Sequence, residues 1–264
     1  MFTDSHCHLT FPELQADWPA IHQAMVDAQV LRALCICTTL EEFPQVHAFA
    51  MGQPHIWASA GVHPDNEGVA EPDVDTLLEL AARPKVIAIG ETGLDYYRLG
   101  DRTVADMEWQ RKRFRTHIQT AQRCAKPLVI HTRSASDDTL AILKEQGETG
   151  GAGAAGGVFH CFTEAVEVAK GALDLGFYIS FSGILTFKSA QSIRDVAKLV
   201  PMDRLLIETD SPYLAPVPYR GKTNNPSYVP WVAAALAELK SCDVETIANT
   251  TNANFDTLFM RGTS

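Results

Sequence analysis

The sequence predicts a single-domain α/β protein, a TIM-type (β/α)8 barrel spanning residues 1–264, and three observations predict it. Short runs rich in β-branched and aromatic residues alternate with longer runs of helical period from the first residue almost to the last, the pattern of a parallel sheet with crossover helices. The strand-like runs number eight in a chain of 264 residues, close to the roughly 250 typical of such a barrel and better suited to a closed ring than to an open doubly wound sheet. Ionisable side chains gather where these apolar runs end, the face on which barrel enzymes carry their chemistry.

In chain order, the expected strands are FTDSH, RALCICTT, IWASAGVH, KVIAIGE, PLVIHT, GGVFHCF, FYISFSG and RLLIETD. Between them lie the helical candidates ELQADWPAIHQAMVDAQ, DVDTLLELAARP, DMEWQRKRFRTHIQTAQRCA, SDDTLAILKEQG, TEAVEVAKGALDLG and SAQSIRDVAKLV, most of them closed by Gly or Pro. Two more, within 227–240 and 243–260, complete the ring. The glycine-rich GETGGAGAAGGV precedes the sixth strand and lacks the G-K-[ST] ending of a phosphate loop, so it reads as a helix-to-strand connection on the face away from the chemistry.

Composition narrows the function. Hydrophobic residues make up 46% and charged residues 20%, enough apolar surface for a substantial core. Twenty-two basic against thirty-two acidic residues leave a net charge of −10, which argues against a broad basic surface gripping duplex nucleic acid but allows a compact site where metal cations meet phosphate. The six cysteines are scattered, with no C-x-x-C pair, and read as reduced, buried thiols; Cys35 and Cys37 have the spacing of a soft-metal pair but are expected instead to share a buried strand. Neither a signal peptide nor a membrane span is expected, which makes the cytoplasm the expected location.

The strand ends carry the strongest signal. His6 and His8 close the first strand, His63 the third, Glu91 the fourth, His131 the fifth, His160 the sixth and Asp210 the eighth. Residues two apart on a strand share a face, so His6 and His8 point together and Cys7 points away; Cys161 is likewise expected to face away from His160. One such residue is ordinarily a hydrogen-bonded core group. Four imidazoles (His6, His8, His131, His160) and two carboxylates (Glu91, Asp210) together need a cation to satisfy them. Imidazole with carboxylate and no thiolate suits Zn²⁺, Mn²⁺ or Fe²⁺, and Mg²⁺ with waters completing the shell. Six ligands exceed what one hydrolytic zinc takes, so two divalent ions bridged by a carboxylate are expected.

TDSHCHL, GVHP, GETGLDYY, VIHTR, HCF, SFSG and LLIETDSPYLAP followed by RGKTNNPSYV, in this order across roughly residues 2–260, resemble the TatD family of metal-dependent deoxyribonucleases in the amidohydrolase-like barrel superfamily. The resemblance implies a metal-dependent hydrolase barrel in which His6, His8, Glu91 and Asp210 hold one ion and Glu91, His131 and His160 the second. Glu91 stands where related hydrolases use a carboxylated lysine. It implies a DNA substrate and 3′→5′ exonuclease action on single strands. The alternative is a metal-dependent hydrolase of a small amide, lactone or phosphoester, for which the same ligands would serve.

Asp210 is expected to orient or deprotonate the attacking water, and His63 to donate to a phosphate oxygen or to cap the structure. Arg133, two residues after His131, offers a fork for phosphate or a partner for a barrel carboxylate. Tyr96 and Tyr97 could stack on a base or pack on the rim. Glu208 is expected to orient ligands, and Arg220 with Lys222 to guide a nucleic-acid end or remain a solvated loop. No heptad or exposed apolar stripe singles out an oligomer interface.

Overall fold

Eight parallel strands stand in one sheet in chain order: β1 (Phe2–Cys7), β2 (Val30–Cys35), β3 (Ile56–Ala60), β4 (Val86–Asp95), β5 (Leu128–Arg133), β6 (Gly157–Phe159), β7 (Tyr178–Phe181) and β8 (Leu205–Ile207). This is the expected barrel, seen in a computed structural model that describes residues 1–260; the last four residues of the expected 1–264 domain lie outside the described residues. Closure happens just past the end of β8. There the Asp210 N–H donates to the His6 carbonyl and the His8 N–H to the Ser211 carbonyl, each at 2.9 Å.

The helices are α1 (Pro12–Gln15), α2 (Trp18–Asp27), α3 (Phe43–Met51), α4 (Val74–Ala81), α5 (Glu108–Cys124), α6 (Ser136–Glu145), α7 (Val166–Asp174), α8 (Gln191–Leu199), α9 (Val229–Lys240) and α10 (Val244–Phe259). The single helix expected over ELQADWPAIHQAMVDAQ is two, because Pro19 has no N–H to continue the first helix and instead sits in the first turn of α2. Helix α3, which periodicity did not single out, also begins with a proline in its first turn. Asp73 and Asp243 cap α4 and α10, each accepting from a backbone N–H three residues on, at 2.7 and 2.6 Å. GETGGAGAAGGV joins α6 to β6 as expected, and buried Glu148 holds it by accepting from the Ala155 and Gly156 N–H groups at 3.0 and 2.9 Å.

Alternation along the strands layers the barrel interior. Leu34, Val129, Val158, Tyr178 and Leu206 pack with Phe255, Leu258 and Phe259 of α10 in one apolar cluster. Two residues further along three of these strands stand His131, His160 and Glu208, so the apolar plug is a floor under the polar site. A second, larger cluster fills the space between strands and helices. The strand walls approach too closely for side chains at two glycines: a Cβ on Gly61 would lie 2.4 Å from the Gly90 carbonyl carbon, and one on Gly93, held at φ +132, would lie 1.9 Å from the His131 carbonyl oxygen.

Candidate metal centre

Strand ends place the site, though the ends differ from the expected ones. β3, β6 and β8 finish early, so His63, His160 and Asp210 stand on the first residues of the following loops, while β4 runs on past Glu91 to Asp95. Pairing still guides them: the His160 N–H donates to the Ile130 carbonyl at 3.0 Å and the His63 N–H to the Thr38 carbonyl at 2.8 Å. Asp210 is held at φ 56, a left-handed conformation that aspartate tolerates better than most residues. Buried Asp4 secures this segment to β1, accepting from the Thr209 N–H at 2.9 Å and its hydroxyl at 2.5 Å; burial pushes its own carboxyl up to about 8.

Glu91, 3% exposed, is the centre. Its Oε2 lies 3.4 Å from His6 Nε2 and 3.9 Å from His8 Nε2; its Oε1 lies 3.3 Å from His63 Nε2, 3.3 Å from His131 Nδ1 and 2.8 Å from His160 Nε2. Asp210 Oδ1 completes the first group at 3.5 Å from His6 Nε2 and 3.6 Å from His8 Nε2. Two clusters of donor atoms thus share one carboxylate, His6, His8, Glu91 in one and His63, Glu91, His131 in the other, with His160 against both. The His6 and His160 rings stack at 3.8 Å, nearly parallel at 6°.

Burial opposes the charge on Glu91, yet His160, His63 and His6 outweigh it and hold this carboxyl well below the usual carboxylate range. Asp210 behaves likewise: against burial, its hydrogen bond to His8 and the charges of His6 and His160 keep its carboxyl below its ordinary value. Buried His160 Nε2 has no hydrogen-bond partner despite its closeness to Glu91. An ionised carboxylate amid imidazole nitrogens that lack proton partners is a donor set that fits divalent cations.

The far nitrogen of each ring sorts the histidines further. His131 Nε2 faces Asp95 Oδ2 at 3.0 Å, and a carboxylate only accepts, so Nε2 carries the proton and Nδ1 turns its lone pair to the site. His160 Nδ1 faces Glu208 Oε1 at 3.4 Å, which frees Nε2 in the same way, and Glu208 is further fixed by the Cys161 N–H at 2.7 Å. Both pairs are the carboxylate–histidine arrangement that orients metal ligands. His63 is the opposite case. Its Nδ1 accepts from the Asp65 N–H at 3.1 Å, so its proton sits on Nε2, facing Glu91.

Above these groups opens a cavity of about 630 Å³ lined by His8, His63, Glu91, His131, His160 and Asp210, and by Arg133. Arg133 lies over the Tyr97 ring, 3.7 Å from its centroid, and is ion-paired to no carboxylate among the described residues. Tyr96 is a correction: it is buried away from the cavity, its hydroxyl donating to Asp138 at 2.8 Å and accepting from Arg111 at 3.0 Å. Because β4 continues to Asp95, alternation puts Glu91, Gly93 and Asp95 on the inner face and Tyr96 on the outer one. Cys161 is corrected the other way. It lines the cavity beside His160 because the regular strand ends at Phe159 and Cys161 takes φ 42; burial pushes its thiol well above the ordinary value. Arg220 and Lys222 lie outside the cavity over the Phe187 and Tyr219 rings. Sequence reading missed Asp95, whose signal was its even spacing from Glu91, and Arg98, Phe11 and Tyr213, loop residues with no periodicity to expose them.

A family model described as TatD related DNase matches residues 3–260. The uncharacterized metal-dependent hydrolase YcfH of Escherichia coli strain K12 is 46% identical over 264 residues, covering 97% of this chain and 94% of that protein. The 3'-5' ssDNA/RNA exonuclease TatD of Escherichia fergusonii is 32% identical over 262 residues, covering 97% and 98%. The crystal structure of YJJV, a TatD homolog from Escherichia coli k12, has the same fold with a TM-score of 0.87, 30% identity and 98% coverage of both chains. With its barrel, its carboxylate-bridged histidines and these likenesses, the chain belongs to the TatD-related DNase family and is a metal-dependent hydrolase.

Proposed function

We propose that this chain is a cytoplasmic 3′→5′ exonuclease that hydrolyses the phosphodiester bonds of single-stranded DNA. The observation that carries the reading is the division of the histidines. Two rings are backed by carboxylates and present lone pairs, whereas His63 is backed by a backbone N–H and presents a proton.

In this reading His6, His8, Glu91 and Asp210 hold one divalent ion, and Glu91, His131 and His160 the second. Mg²⁺, Mn²⁺ or Zn²⁺ there supplies charge to meet the phosphate oxygens and lowers the pKa of water. The chain's own groups do the rest. Asp210, kept ionised by its histidine neighbours, orients the attacking water and accepts its proton at a carboxylate oxygen; as the water oxygen bonds to phosphorus the P–O bond to the remaining strand breaks, and the departing oxygen takes up that proton. His63 donates from Nε2 to a phosphate oxygen as charge builds there. Arg133, its guanidinium stacked on Tyr97 and free of an ion pair among the described residues, steadies the same phosphate through its planar fork.

The test is digestion of end-labelled single-stranded DNA by metal-stripped protein with each metal added back. Laddering from the 3′ end that returns with metal is expected, and Asp210→Asn should lower kcat by about 10²-fold or more. A protein that binds the metals yet hydrolyses only small amides, lactones or phosphoesters would overturn the nuclease reading.

A further inference from the structure

The cavity is chemically two-sided. The loops after β7, β8 and β1 line it with Ile184, Tyr213, Leu214 and Phe11, while those after β4 and β5 contribute Arg98 and Arg133. In the strand order of the ring, β8 stands opposite β4, so an apolar wall and a cationic wall face each other across the histidines.

The apolar wall is an aromatic run leading out from the metal ligands. The Phe11 ring stacks on His8, centroids 4.6 Å apart and 23° from parallel, and Tyr213 meets Phe11 edge to face at 6.5 Å and 77°. Tyr213 is 54% exposed, so much of its ring surface is open to the mouth. Its loop is nevertheless built to hold it. Asn224, completely buried, donates from Nδ2 to the Thr209 and Tyr213 carbonyls at 2.9 and 2.6 Å and from its backbone to the Pro212 carbonyl at 3.0 Å. Leu214 is kept at φ 60, a disfavoured conformation for leucine, and its carbonyl approaches so closely that a Cβ on Gly183 would lie 2.0 Å from it.

Across the mouth, Arg98 and Arg133 are both exposed, neither is ion-paired among the described residues, and of the arginines described only these two line the cavity. In a chain of net charge −10, two such guanidiniums beside the ligands suit an anion. A nucleotide strand is the polymer that sets a flat apolar group beside an anion at every repeat.

We propose that the apolar wall is a base subsite, where the unpaired terminal nucleobase stacks on Tyr213 against Phe11, Ile184 and Leu214 while a phosphate of the same strand meets Arg98 and Arg133. This rests on the nuclease reading and deepens it. A paired terminal base has its faces and edges engaged in the duplex, so the subsite selects frayed or single-stranded ends. Stacking on a tyrosine face is tolerant of base identity, so the subsite accepts all four.

The test compares two oligonucleotides of one sequence, one with a normal nucleotide and one with an abasic nucleotide at the digested end, in the presence of added divalent metal. Wild-type protein should favour the base-bearing end about tenfold or more in kcat/KM. Tyr213→Ala should bring that ratio near one and Tyr213→Phe should keep it, as should Trp231→Ala on the outer surface; thermal unfolding checks that each variant is folded. Equal cleavage of both ends by wild type, or a preference that survives in Tyr213→Ala, overturns the base subsite and leaves the nuclease standing. Cleavage of neither oligonucleotide by a protein active on a small ester overturns both.

Discussion

At the residue scale, the proposed centre rests on carboxylates outside its six proposed ligands. Asp95 and Glu208 each fix one imidazole tautomer, and replacing such a partner ordinarily weakens metal binding by 10- to 100-fold. Asp95→Asn can turn its amide N–H toward His131 Nε2 and so favours the wrong tautomer. We expect it to lower metal affinity within that range while leaving the unfolding free energy of the metal-free protein within about 1 kcal/mol of wild type, since Asp95 ends a strand. A competition titration with a chromophoric chelator measures this, and unchanged affinity would remove Asp95 from the site. The six residues proposed as ligands stood out in the sequence because an ionisable residue closing an apolar run is rare and six of them together demand one explanation. Asp95 was not, because reading β4 as ending at Glu91 left it in a loop. The same boundary decides between the two readings of Tyr96, because it sets which of two neighbouring side chains enters the barrel, and Tyr96 packs.

At the scale of elements, His63 is aimed by α5, a helix that carries no ligand. His117 Nε2 accepts from the Val62 N–H at 3.0 Å, its Nδ1–H donates to the Arg113 carbonyl at 2.8 Å, and the Arg113 guanidinium donates to the His63 and Asn66 carbonyls at 2.8 and 2.9 Å. Both His117 nitrogens are committed in the neutral ring, and burial lowers its pKa from 6.5 to about 4. The unfolded chain therefore binds a proton here that the folded chain refuses. The neutral ring's contribution is intact above pH 6.5 and is lost as pH falls from 6.5 toward 4, about 3 kcal/mol in all and about 2 kcal/mol of it between pH 7 and 5. His117→Gln, which still offers a donor and an acceptor, should lose about 2 kcal/mol less than wild type over that interval. Urea unfolding of the metal-free proteins at the two pH values measures the difference, and equal losses would mean that His117 titrates normally. The helix itself was legible from its period, and so were the other barrel helices except α3 and the break between α1 and α2. The anchoring was not, because a buried histidine on a helix reads as core until the loop it holds is seen.

At the scale of the whole molecule, the acidic surface and the small cationic wall set how a charged polymer is gripped. The net charge of −10 offers no long basic track, and the only guanidiniums lining the cavity among the described residues are Arg98 and Arg133. For a single strand, each phosphate neutralised by a protein cation contributes a slope of about −0.7 to log affinity against log salt. Two contacts thus predict a slope of about −1.4 for the monovalent-salt dependence of kcat/KM, at fixed saturating divalent metal. Arg98→Gln and Arg133→Gln should each flatten that slope by about 0.7, with the loss in kcat/KM shrinking as salt rises, since the contact removed is one that counterions screen. A slope steeper than about −4 would mean an extended electrostatic track that the cavity does not contain. A slope near zero would mean that the strand is held by stacking and metal alone, with both arginines idle. An intermediate, two-charge slope is what a barrel mouth the size of one nucleotide requires, because a site of about 630 Å³ has room for one base and the phosphates on either side of its sugar.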